Sequence, residues 1–146
     1  ASQKVGQSAA PLFLDRIDIQ CEISALPFKE LSKAAPGEPS AKIRERVIAA
    51  RALQTARFKD VPGVHCNAQM TEKMLQEYVA PDEESLRALR DAMERFSLSA
   101  RAYSRILKVA RTIADLDACP QVKYPHVAEA VSYRNLDRGD WAERGI

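Results

Sequence analysis

The chain has 146 residues, 46% of them hydrophobic and 29% charged, with a net charge of +2. That supports one packed domain of ordinary size and argues against a strongly cationic nucleic-acid or membrane binder. No run is apolar and long enough for a transmembrane helix. The opening stretch Ala1-Ser2-Gln3-Lys4-Val5-Gly6-Gln7-Ser8 lacks the apolar core of a secretory signal, so a cytoplasmic protein is expected. Three cysteines, Cys21, Cys66 and Cys119, lie far apart, and the histidines are His65 and His126. Zinc needs clustered ligands and there is no CxxC pair, so the expectation is no metal site and thiols that are buried or incidental in a reducing compartment.

Residues 1–11 are small and polar and read as disordered. Ile17, Ile19, Cys21 and Ile23 then alternate with Asp18, Gln20 and Glu22, the period of a half-buried strand. No second segment alternates as cleanly, and a lone strand leaves its backbone groups unpaired. This strand is therefore expected to belong to a sheet whose other strands lie outside the chain. Leu26 to Leu31 reads as a short helical turn and residues 33–39 as a linker. From there the pattern is helical. Ser40 is expected to cap a helix to about Phe58, with Ile43, Val47, Ala50 and Leu53 on its apolar side and Arg44, Arg46, Arg51 and Arg57 on the other. A loop from Lys59 to Asn67 follows, then a short helix capped by Thr71 and carrying Met74, Leu75 and Tyr78. Pro81-Asp82-Glu83-Glu84 starts another, with Leu86, Leu89, Met93 and Phe96 at helical spacing. Ser99 caps the next, which runs to about Leu116, and Pro125 opens a last helix through Val127, Ala130 and Val131. The tail after Asn135 is polar, with Trp141 as its one docking residue.

The helix after Ser99 is the most informative. At about 100° per residue, Tyr103, Ile106, Leu107, Ala110, Ile113 and Ala114 share a broad apolar face, which predicts the central helix of a bundle. The opposite face carries Arg101, Arg105 and Lys108, with Thr112 continuing the line. Arg101 falls in the first turn, where the helix dipole disfavours a cation. The residues leave two readings open: a solvated basic face, or an anion site in which an arginine and the backbone N–H groups of a helix start hold a phosphate.

The string from Leu98 to Leu116 resembles the magnesium-chelatase-related family of AAA+ proteins, the ComM or YifB group. So do Leu14-Asp15-Arg16-Ile17-Asp18-Ile19, Ser40-Ala41-Lys42-Ile43-Arg44-Glu45-Arg46-Val47, Asn67-Ala68-Gln69-Met70 and Tyr133-Arg134-Asn135-Leu136-Asp137-Arg138, so the resemblance runs from about residue 14 to 138. It implies an all-α fold, a helical bundle of about five helices that forms an AAA+ lid. A short isolated strand or disordered segment from the AAA+ core precedes it. On this layout residues 1–39 are the end of the core and a linker, 40–138 the lid and 139–146 a tail.

Family members carry a GxxxxGK[ST] phosphate loop in their core, and this chain has none. The resemblance therefore implies a chain that does not hydrolyse ATP by itself and holds no bound cofactor, with ATP and Mg²⁺ belonging to the longer protein. It also assigns roles by position. Arg16, in the Leu-Asp-Arg motif, corresponds to an arginine finger that acts on the nucleotide of a neighbouring subunit. The family usually reads Gly-Pro-Leu-Leu-Asp-Arg there; this chain reads Pro11-Leu12-Phe13-Leu14-Asp15-Arg16. Arg101, in Ser99-Ala100-Arg101, corresponds to the sensor-2 arginine on the terminal phosphate, with Arg105 beside it. The implied partners are the protein's own AAA+ core, further copies in a homo-oligomeric ring, and DNA, through relatives that act in natural transformation.

Two other readings remain open on the residues alone. One is a stand-alone helical nucleic-acid-binding module using Arg44, Arg51, Arg101, Arg105 and Lys108, whose DNA binding would be salt-dependent. The other is an oligomerisation module. Chemistry within the chain is not expected: Asp15 and Asp18 point to opposite faces of an extended strand, Glu83-Glu84 is helix-start chemistry, and no serine or histidine stands in a nucleophile motif.

Overall fold

A computed structural model of the chain describes residues 16–21, 23, 25, 27 and 36–134. Among these, helices α1 (Ser40–Arg57), α2 (Glu72–Tyr78), α3 (Glu83–Arg95), α4 (Ala100–Leu116) and α5 (Tyr124–Ser132) form a bundle, with one 3₁₀ turn at Asn67–Gln69. The fold is all-α, as expected. Apart from residue 27, the short helical turn expected at Leu26–Leu31 lies outside the described residues, as do residues 33–35 of the linker and the tail from Asn135 with Trp141.

The apolar periodicity of α4 places it at the centre. Ala102, Ile106, Leu107, Ala110, Ile113 and Ala114 are all buried. They meet Leu75 and Val79 from the α2 end, Leu89 from α3, Val127 and Ala130 from α5, and Phe58, Met70 and Val122 from the connections. Each large aliphatic side chain buried there contributes about 1.5–3 kcal/mol. The Phe58 and Tyr78 rings meet edge to face at 5.4 Å. α5 packs against both α4 and α3, and α1 against α4.

The helix starts follow local chemistry. Thr71, Asp82 and Ser99 each accept a hydrogen bond from the backbone N–H three residues on, at 3.4, 2.8 and 3.1 Å. At α5, Pro125 falls at the second helical position, and His126 Nδ1 accepts the Lys123 N–H at 3.0 Å. Ser40 is not a cap: it is the first helical residue of α1, and Pro39 precedes it. The Pro39 carbonyl accepts from Lys42 and Ile43 instead.

The helix ends are unusual in their residue types. α2, α3 and α4 each end in a left-handed residue that is not glycine: Ala80, Ser97 and Ala118, with φ of 33°, 49° and 51°. After α3 and α4 the next N–H bonds back to the carbonyl three positions inside the helix end, Leu98 to Met93 at 3.0 Å and Cys119 to Ala114 at 2.8 Å. This is the Schellman closure.

Further sequence expectations are corrected. First, none of the described residues between 16 and 25 is in a strand. Burial there does not follow the expected alternation: Gln20 is 7% exposed, whereas Ile19 is 53% and Ile23 91% exposed, and Ile17 is half-buried. No neighbouring strand is present among the described residues to pair with this one, so polar contacts to the bundle set its register. Second, the apolar side of α1 is not a core face. Ile43, Val47 and Leu53 are 43%, 48% and 43% exposed, and the buried residues are Ala50 and Gln54, followed by Phe58 at the helix end. Only the last two turns of α1 reach α4. Tyr103, placed on the core face of α4 by periodicity, is 37% exposed.

Candidate functional site

α4 also buries polar side chains. Asp115 is fully enclosed and accepts from three sides. Arg57, at the end of α1, donates to both its oxygens, at 2.9 and 2.5 Å. Asn67 Nδ2 reaches it at 2.8 Å and Arg111 Nε at 3.2 Å. Arg111, one turn earlier on α4, donates its remaining nitrogens to the Pro120 and Cys119 carbonyls at 2.9 and 2.6 Å. Asn67 in turn accepts from Arg57 at 2.8 Å and donates its backbone N–H to Gln54 at 3.1 Å. Burial alone would push the Asp115 carboxyl up. The hydrogen bonds from Arg57 and Asn67 and the charges of Arg111 and Arg57 outweigh it, and hold the carboxyl below the ordinary carboxylate range. Burial pushes the Arg111 guanidinium down, against the charge of Asp115. The network ties α1, the 3₁₀ turn and α4 into one frame.

Other residues of α4, with Ala68 of the 3₁₀ turn, line a groove of about 1000 Å³. Its wall is the polar face of α4, with Arg101, Ser104, Arg105 and Lys108 in successive turns, and Asp18 and Glu72 lie opposite. Ser104 donates to Glu72 at 2.6 Å, and Lys108 donates to the Ala68 carbonyl of the 3₁₀ turn at 3.1 Å. Arg105 donates to the Arg16 carbonyl at 2.9 Å and pairs with the Asp18 carboxylate. Arg101 is exposed at the second position of α4, two residues beyond the Ser99 cap. The backbone N–H groups of a helix start and a guanidinium thus share one open corner, a chemistry suited to a phosphate.

The structure brings Arg101 and Arg105 together on the groove wall and places the backbone of Arg16 at its edge, while the Arg16 side chain is exposed. The other basic residues considered for nucleic acid, Arg44 and Arg51, lie on the exposed face of α1, away from this wall. Sequence reasoning missed the Asp115 network. The signal available was Arg111 and Asp115 four apart within an otherwise apolar helix, which would have exposed a pair if they faced solvent and demands partners if they face inward. Cys21 is exposed, and Cys66 and Cys119 are half-buried. No described helix is long and apolar enough to cross a membrane.

Among the described residues, a bundle of five helices whose central helix carries a line of basic side chains along a groove is the class of domain defined here. Residues 37–134 match the family described as magnesium chelatase, subunit ChlI C-terminal, and the chain belongs to that family. It is similar to the protein YifB of Salmonella typhimurium, 42% identical over 127 residues. It is 39% identical to the competence protein ComM of Haemophilus influenzae and 40% identical to YifB of Escherichia coli over the same length. Each alignment covers 86% of this chain but 24% of the relative, so the chain spans about a quarter of the length of these curated relatives. It corresponds to the C-terminal region of a ComM/YifB-type protein.

Proposed function

We propose that this chain is the nucleotide-sensing lid of an AAA+ ATPase, with Arg101 as the sensor-2 arginine on the terminal phosphate of ATP and Arg16 as a finger offered to a neighbouring subunit. The observation that supports it is the place of Arg101: exposed, at the second position of α4, on the wall of the 1000 Å³ groove. The helix dipole disfavours a cation in the first turn, and a phosphate placed there turns the same position into a favourable one. Arg101 and the neighbouring backbone N–H groups hold phosphate oxygens, and Lys108 adds charge deeper in the groove. These donors fit the anion. Mg²⁺ requires oxygen ligands, and would be held by the rest of the longer protein. Phosphoryl transfer depends on positioning and charge neutralisation, so the contribution of this chain is to close on the nucleotide and couple its state to the angle of α4.

The ATPase ring, the core domain as partner, a cytoplasmic setting and a role in DNA processing are part of the same proposal. The last draws on the name of the Haemophilus relative, a competence protein. The isolated chain is expected to bind ATP weakly and not to hydrolyse it.

In the longer protein, Arg101→Ala should weaken nucleotide affinity or turnover by about tenfold to a hundredfold, the loss of one charge-assisted contact. Arg101→Lys should retain part of it. ATP affinity and turnover unchanged in Arg101→Ala would refute the sensor assignment.

A further inference from the structure

We propose that Arg105 and Arg134 are positioning residues that fasten the 16–20 segment to the helical bundle, so that the location of Arg16 is set by α4 and the end of α5. The proposal rests on the reading of Arg16 given above and adds to it the device that places the residue.

Four contacts fall within five residues of one another. Arg105 Nη1 donates to the Arg16 carbonyl at 2.9 Å and pairs with the Asp18 carboxylate. Arg134 Nη1 donates to the Ile17 carbonyl at 2.7 Å, and the Gln20 N–H donates to the Tyr133 carbonyl at 2.8 Å. The contacts come from two separate parts of the bundle, the middle of the groove wall on α4 and the turn that ends α5. Gln20 and Arg134 are buried, at 7% and 3% exposed. Apolar burial is slight: Ile17 is half-buried and Ile19 is 53% exposed. The grip is therefore polar and directional, which fixes an orientation where an apolar contact would allow sliding. Two guanidiniums clamp consecutive carbonyls, and guanidinium is the side chain whose rigid fork suits that geometry.

The placement of Arg105 has a mechanistic consequence. It lies one turn beyond Arg101 on the same face of α4. A phosphate drawn to Arg101 that tilts or shifts α4 moves the Arg16 carbonyl through Arg105. Occupancy of this chain's own groove is thereby coupled to the arginine offered elsewhere. In this arrangement Arg105 Nη1 is engaged by the Arg16 carbonyl and the Asp18 carboxylate.

The test has two parts. In the 146-residue chain, amide exchange at Gln20 is followed by NMR. Arg105→Ala should speed it about two- to fivefold, the worth of a partly exposed ion pair, and the exchanged pair Asp18→Arg with Arg105→Asp should restore the part of the protection that the ion pair supplies, since an aspartate cannot donate to the Arg16 carbonyl. Arg105 is 28% exposed, so its removal leaves the core intact. In the longer protein, Arg105→Ala should lower kcat by about tenfold or more, as misplacement of a reacting group does, with KM for ATP little changed. Unaltered Gln20 exchange in Arg105→Ala overturns the clamp. A rise in KM that matches Arg101→Ala overturns it too, in favour of direct nucleotide contact by Arg105. A silent Arg101→Ala refutes the sensor reading alone and leaves the exchange result standing.

Discussion

Replacing Asp115 by alanine removes the acceptor shared by Arg57, Asn67 and Arg111. The carboxylate is fully buried, and the side chains of the two arginines left behind are 16% and 2% exposed. Neither can regain its hydration without separating α1 from α4. Removing one partner of a buried ion pair costs about 3–5 kcal/mol, chiefly the penalty of the stranded charge. A domain of this size has roughly 5–15 kcal/mol of stability in all, so Asp115→Ala should bring the bundle close to unfolding. Arg57→Ala should be milder, because Asp115 keeps Arg111 and Asn67. The depressed carboxyl also sets a pH dependence. Its contribution is complete above the unfolded carboxyl pKa of about 3.9 and is lost as pH falls through the lower folded value. Asp115→Asn should therefore lose less additional stability on acidification below about pH 4 than the parent chain does. Urea unfolding followed by far-UV circular dichroism, repeated over pH 3–7, measures both. An Asp115→Ala midpoint within about 1 kcal/mol of the parent, or matching acid profiles for parent and Asp115→Asn, would refute the argument.

Ala118 closes α4 at a φ of 51°. Ala118→Gly should stabilise the chain by about 1 kcal/mol, the cost of the left-handed conformation for a residue with a Cβ, and a loss in thermal midpoint would show that the helix end is differently built. Val47 is 48% exposed on α1. Val47→Asp should leave the unfolding midpoint of the isolated chain within about 0.5 kcal/mol, and a drop of 2 kcal/mol or more would mean that the apolar pattern of α1 packs against the bundle after all.

The helices of the bundle were legible because the signals that specify them are local. Thr71, Asp82 and Ser99 cap where capping residues are expected, and the α4 periodicity runs true from Ile106 to Ala114. Helix ends were less so, because the residues that turn left-handed are alanine and serine, which carry no turn signal of their own. The orientation of α1 could not be read: Ile43, Val47, Ala50 and Leu53 share a helical spacing, but which side faces a neighbour is decided by tertiary contacts at one end only. The Asp115 network was hidden for a related reason. Arg57, Asn67 and Asp115 are separated by 10 and 48 residues, and a pairing over such distances leaves no periodic trace. Of the site, Arg101 and Arg105 were visible as a basic line on α4, while the engagement of Arg105 with Asp18 and Arg16 needed the fold.

The exposure pattern of α1 gives the helix a mechanical character. Residues 40–49 are all exposed, and the buried positions Ala50 and Gln54, with the Arg57 anchor, lie in its last turns. About 15 Å of rigid rod, at 1.5 Å per residue, thus overhangs a base clamped by an ion-paired joint. A rocking of about 5° at that joint displaces the free tip by roughly 1.3 Å over such a span. The tip is where the side chains of Ile43, Val47 and Ile48 stand clear of the bundle, so any such rotation would be felt most at these three apolar side chains.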